Sequence, residues 1–141
     1  MSTGASKAQH PKAPRIKSPL GQALGNGSAG SGTEHWMAQR LTAIALVPLT
    51  LWFAWSLLTQ PVLDYYTMLA WAAEPLHAIC LALLVVAVTF HSNLGLQVVV
   101  EDYVHQPGPR IVLQVLVRLV HVALAVAGIY AVIMIAIGTL P

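Results

Sequence analysis

The sequence predicts an all-α membrane protein with three spanning helices, and three observations predict it. Hydrophobic residues make up 57% of the 141 residues and charged residues 9%, whereas a soluble domain carries about 25% charged residues. Mean hydropathy is +0.70, so water is not the solvent that most of this surface meets. The apolar residues are gathered into three runs, each near the ~20 residues needed to cross about 30 Å of hydrocarbon.

The N-terminal stretch comes first. Residues 1–33 hold Gly21, Gly25, Gly27, Gly30 and Gly32 with Pro11, Pro14 and Pro19, and no apolar periodicity. Such a composition does not offset the entropy of ordering, so a disordered tail is expected. Its Gly/Pro content argues against the amphipathic helix of an organellar targeting peptide, and it lacks the apolar segment of a secretory signal. The tail is basic, with Lys7, Lys12, Arg15 and Lys17, in a chain of formal net charge +2. Basic residues beside a membrane suit a lipid surface, and the aromatic interleaving of a nucleic-acid binder is absent.

The anchor domain is expected over 34–141, with spans at about 38–58, 76–100 and 111–140. The first span is uncharged after Arg40 and contains Pro48, which a membrane bundle tolerates because neighbouring groups satisfy the freed backbone. The second is interrupted mainly by polar residues from His91 to Gln97, and the third has Arg118 and His121 near its start. Three spans leave the chain ends on opposite sides. Bases flank the N-terminal end and the 101–110 loop, whereas the loop at 59–75 has Asp64 and Glu74 and no Lys or Arg. The positive-inside rule therefore puts the N-terminus and the 101–110 loop on the cytoplasmic side. Trp55, Tyr65, Tyr66 and Trp71 mark the outer interface in this reading, and Trp36 and Tyr103 the inner one. Cys80, the single cysteine, reads as helix packing, since it has no partner for a disulfide or zinc site.

His91 is the informative residue. It lies eleven positions before Asp102, roughly 16 Å at ~1.5 Å per residue, which suggests a depth near the bilayer centre. Intramembrane ionisable groups are expensive and mark an ion path, a proton relay or a ligand. A neutral imidazole with a free nitrogen is a haem axial ligand; alternatively it only hydrogen-bonds across helices. Gly95 is one turn on, and its missing side chain would let a macrocycle or a helix approach. Asp102 points within about 20° of His91 at ~100° per residue. Tyr103 is an interfacial belt residue or a phenolic donor to a carbonyl. Arg40 either pairs with a carboxylate such as a haem propionate or snorkels. His121, eleven residues after Arg110, either shares a haem with His91 in this chain or faces another subunit. His35, His77 and His105 read as interfacial or solvated.

The stretch HSNLGLQVVVEDYVH, residues 91–105, resembles the signature of the hydrophobic membrane-anchor subunit of succinate dehydrogenase, the smaller anchor of respiratory complex II. The segment HWMAQRLTAIALVPLTLWF, residues 35–53, resembles that family's first-helix entry, with an Arg just ahead of Thr-Ala-Ile. The resemblance spans residues 34–141. It implies three helices contributing to a multi-subunit haem-binding bundle in a bacterial cytoplasmic membrane. It implies that His91 supplies one axial ligand to a haem b shared with a second, cytochrome b-type anchor subunit, with Arg40 near the propionates. It also implies that Tyr103 hydrogen-bonds a ubiquinone carbonyl beside Asp102. The implied partners are that second anchor, an iron-sulfur subunit and a flavoprotein subunit, in succinate:ubiquinone oxidoreductase or, in reverse, fumarate reductase. His121 matches no ligand of the family pattern. The chain has neither a flavin motif nor a Cys cluster, so its role is docking and site-building, without catalysis alone. A cofactor-free scaffold or assembly protein is the reading from another class.

Overall fold

A computed structural model describes residues 27–138, with side chains from residue 32. The tail expected over 1–33 lies outside the described residues as far as residue 26. Among the described residues, four helices follow in order: α1 (Gly27–Leu58), α2 (Tyr65–Ala73), α3 (Pro75–Tyr103) and α4 (Pro107–Ala136). Three of them, α1, α3 and α4, are long and apolar enough to cross a membrane. The all-α, three-span architecture is therefore as the composition predicts.

The boundaries have local causes. Helix α1 starts at Gly27, ahead of the expected span at 38, and runs unbroken through Pro48. Thr50 Oγ donates back to the Leu46 and Val47 carbonyls at 2.7 and 3.1 Å, which satisfies the hydroxyl in a medium without water. The 59–75 connection is not a plain loop, because it contains α2. Asp64 caps that helix, its carboxylate accepting from the Thr67 amide at 2.7 Å, as a side-chain oxygen at an N-cap does. Pro75 then opens α3 and Pro107 opens α4, each at a position where the missing amide is no loss. The turn between α3 and α4 is only residues 104–106, so Asp102 and Tyr103 belong to the last turn of α3 and Arg110 to the first of α4. Helix α4 stops at Ala136, short of the expected residue 140, and Gly138 takes the left-handed conformation at φ 68°. That is the usual end of a helix whose orphan carbonyls are met by turning back.

Helix α3 is the centre of the layer. It packs along α1 on one side and α4 on the other, and α2 lies against α3 and α4. Buried positions are small or few: Ser56, Ala72, Ala78, Ala87 and Leu94. In lipid, apolar surface gains little by meeting apolar surface, so helices associate through close packing of small residues and through hydrogen bonds. Gly128 is the tightest such point, since a Cβ there would lie 2.8 Å from Val85 Cγ1. By contrast a Cβ at Gly95 would lie 3.8 Å from Gln39 Nε2, an ordinary contact. Gly95 leaves room for a side chain of α1.

Aromatic side chains gather where α2 meets the bundle. The Trp71 ring stacks on His77 at 4.8 Å and on Trp52 at 5.9 Å between centroids. His77 Nδ1 donates to the Trp71 carbonyl at 2.8 Å. These contacts make His77 a structural residue of the α2 end, in line with the interfacial role its position suggests.

Candidate haem and quinone site

His91 sits on the α1 side of α3, half-buried. Its Nδ1 is 3.0 Å from Thr42 Oγ and its Nε2 is 3.3 Å from the Gln39 amide nitrogen. Gln39 and Thr42 are three apart on α1, hence on one face. Thr42 Oγ also lies 2.8 Å from the Ala38 carbonyl and 3.1 Å from that of Gln39. The Gln39 side-chain oxygen is buried without a partner, although buried polar atoms are ordinarily hydrogen-bonded. Between α1 and α3, next to Thr42, opens an apolar groove of about 430 Å³ lined by Thr42, Ala45, Pro48 and Leu49 of α1 and Leu83, Val86, Ala87 and Phe90 of α3.

The next residue of α3 faces the other neighbour. Ser92 Oγ is 3.1 Å from His121 Nε2, and His121 Nδ1 donates to the Val117 carbonyl at 2.7 Å. The Ser92 hydroxyl is then the donor to Nε2, and both nitrogens of His121 are engaged. The two histidines do share a level, as their spacing suggests, but they lie on different sides of α3. A single haem held by both within this chain has no support in that geometry. Among the described residues, no three of His, Cys, Asp or Glu are grouped to hold a metal ion.

These cross-links set His91 in register with its neighbours. Thr42, His91, Ser92 and His121 form one rung across three helices. Thr42 follows Arg40 by two residues and His121 follows Arg118 by three, a rise of only about 3–5 Å at ~1.5 Å per residue. His91 and His121 fall near the middle of the candidate spans Pro75–Tyr103 and Pro107–Ala136. Nearer the hairpin, Gln114 of α4 donates to Glu101 at 2.9 Å.

The remaining expected site residues stand apart from the rung. Arg40 is exposed, its guanidinium 5.2 Å over the Trp36 ring, a cation–π contact at one helical turn. Asp102 is exposed and Tyr103 is 78% exposed. Tyr103 lines an open cleft of about 340 Å³ with Val104, His105, Gln106 and Pro109. Direct contact among His91, Arg40 and Tyr103 is not what this chain builds; it presents a ring at the rung and a phenol at the hairpin tip. Sequence reasoning missed Gln39, Thr42 and Ser92. A signal for the first two was present, an amide and a hydroxyl three apart at the entry of an apolar run.

Fold and site together define an integral membrane subunit, a thin layer of three spanning helices with one polar rung and little core of its own. Residues 14–127 match the succinate dehydrogenase/fumarate reductase transmembrane subunit family, and the chain belongs to that family. It is 35% identical to the succinate dehydrogenase hydrophobic membrane anchor subunit of Rickettsia bellii, over 83% of this chain and 94% of the relative. The protein of the same name in Rickettsia conorii is 32% identical over 82% and 93%. That of Paracoccus denitrificans is 33% identical over 68% and 74%.

Proposed function

We propose that the chain is the membrane-anchor subunit of a succinate:ubiquinone oxidoreductase in a bacterial cytoplasmic membrane, N-terminus inward, holding half of a haem b site and part of a quinone pocket. The observation that carries it is the His91 ring, one nitrogen anchored on Thr42 and the other met only by an amide at 3.3 Å whose own oxygen is unpartnered. A haem b there would supply a one-electron store beside the quinone. The residues fit such a group. One imidazole nitrogen would hold the iron from this chain and a second ligand would come from another anchor subunit, and an apolar groove between α1 and α3 near Thr42 would offer the macrocycle an apolar wall. Rotation of the Gln39 amide exposes the Nε2 lone pair.

At the hairpin tip, Tyr103 presents its O–H to a quinone carbonyl and holds it by donation. Asp102 beside it is exposed and exchanges protons with the aqueous side. Arg40, on the same side, offers a guanidinium to propionate carboxylates. An iron-sulfur subunit would dock on this face and a flavoprotein would oxidise succinate, since electrons must reach the quinone from outside this chain. The relatives' names favour succinate oxidation over the fumarate-reducing direction. A scaffold without cofactor has one observation in its favour, namely that both His91 nitrogens have partners within the chain.

Purification of the intact complex decides between them. A b-type Soret and α band that His91→Ala abolishes is expected; an unchanged spectrum would remove His91 from the ligand set, and the lack of any such band in the wild-type complex would favour the scaffold. Tyr103→Phe should lower quinone reductase turnover at least tenfold by order of magnitude, ~1.4 kcal/mol, while succinate oxidation by a soluble artificial acceptor stays at wild-type rate. Equal loss of both activities would remove Tyr103 from the quinone site.

A further inference from the structure

Resting on the haem reading of His91, we infer that Thr42 is the positioning residue of that ligand, fixing its tautomer and ring rotation and making it a stronger electron donor. The Thr42 hydroxyl has one proton, and a carbonyl acceptor stands ready at 2.8 Å on Ala38, with a second at 3.1 Å on Gln39. Such back-bonding to the preceding turn is the habitual arrangement of a helical threonine and holds its β-branched side chain in one rotamer. The oxygen lone pairs then face His91 Nδ1 at 3.0 Å, so the ring nitrogen donates and the hydroxyl accepts.

The opposite tautomer makes one hydrogen bond fewer. With the proton on Nε2, the Thr42 hydroxyl must turn from the carbonyl to donate to Nδ1, and the Gln39 amide must present its oxygen. Nothing replaces the bond to Ala38. Iron at Nε2 demands the same tautomer that Thr42 favours, because coordination leaves the proton on Nδ1. The contact and the coordination therefore reinforce each other across α1 and α3. An imidazole whose second nitrogen donates to an oxygen acceptor is a more basic ligand, and such outer contacts shift metal affinity by about 10–100-fold. A more basic ligand favours ferric over ferrous iron, so Thr42 lowers the potential.

The test uses the intact complex, with assembly confirmed by succinate oxidation with a soluble acceptor. Thr42→Val removes the acceptor at nearly constant shape, and Thr42→Ser keeps it. Redox titration of the α band should show the valine variant displaced to higher potential by about tenfold in ferric preference, ~59 mV for one electron. The serine variant should stay close to wild type, and the ferric low-spin electron paramagnetic resonance signal should shift only in the valine variant. Loss of the band in Thr42→Val with retention in Thr42→Ser supports the same role. An unshifted potential in Thr42→Val, or equal change in both variants, overturns it. A spectrum that survives His91→Ala overturns the haem reading itself, an outcome distinct from either.

Discussion

Gly128→Ala is the perturbation whose cost can be worked most directly from the helix packing. The new Cβ would sit 2.8 Å from Val85 Cγ1 and 3.4 Å from Cγ2, and the first of these distances is closer than carbon atoms tolerate. Valine in a helix has essentially one χ1 rotamer, so Val85 cannot swing its methyl aside cheaply. Turning it by some 30° costs about 0.5–1.5 kcal/mol, and separating α3 from α4 instead costs about 1–3 kcal/mol as overpacking does. Replacing glycine by alanine within a helix returns up to about 1 kcal/mol. The net expectation is a destabilisation of about 0–2 kcal/mol for Gly128→Ala, growing steeply for Gly128→Val. Val85→Ala should open the space, so the pair should show a coupling of about 0.5–3 kcal/mol in a double-mutant cycle. Thermal denaturation of the detergent-solubilised complex measures it. Additive effects of Val85→Ala and Gly128→Ala would refute the contact as the tight point of the α3–α4 seam.

Two further outcomes are expected. His121→Leu should keep the full b-type spectrum, because both nitrogens of that ring are spent on Ser92 and Val117, and it should lower thermal stability by about 0.6 kcal/mol, the average for an interhelical bond in lipid; loss of the band would return His121 to the ligand set. At the other end of the bundle, the Thr67 backbone N–H and then its hydroxyl hold the Asp64 carboxyl below its ordinary value of 3.8. A carboxylate depressed in the folded state contributes its capping above the ordinary value and loses it as pH falls through the depressed one. Protection of the Thr67 amide against exchange should therefore be lost only as pH falls below the ordinary 3.8 in the wild type, but stay pH-independent in Asp64→Asn, which keeps an acceptor without the proton. Identical pH profiles would dissociate the cap from the carboxylate.

Much of the fold was legible because lipid imposes a simple rule, that a spanning segment is long, apolar and helical. The three runs obey it. Helix α2 escaped because its nine residues, YYTMLAWAA, are too few to span and read as interfacial aromatics, and the cue was Asp64 three positions before Thr67. The pairing between the helices was not legible for a related reason. Hydrophobic runs give the length of a helix, whereas its register against neighbours is set by pairs such as Thr42 with His91 and Ser92 with His121, which no single run contains. Of the site, the histidine and the tyrosine stand out as polar groups in apolar or boundary surroundings. Thr42 and Gln39 look ordinary in sequence, since their importance lies in facing a ring on another helix.

In the proposed site His91 Nε2 is the donor to iron, and removing the ring while resupplying its chemistry tests that most directly. In the purified complex, His91→Gly should lose the low-spin b-type spectrum and regain it when free imidazole fills the vacated space. A His91→Gly complex whose spectrum matches the wild type without imidazole would contradict the account.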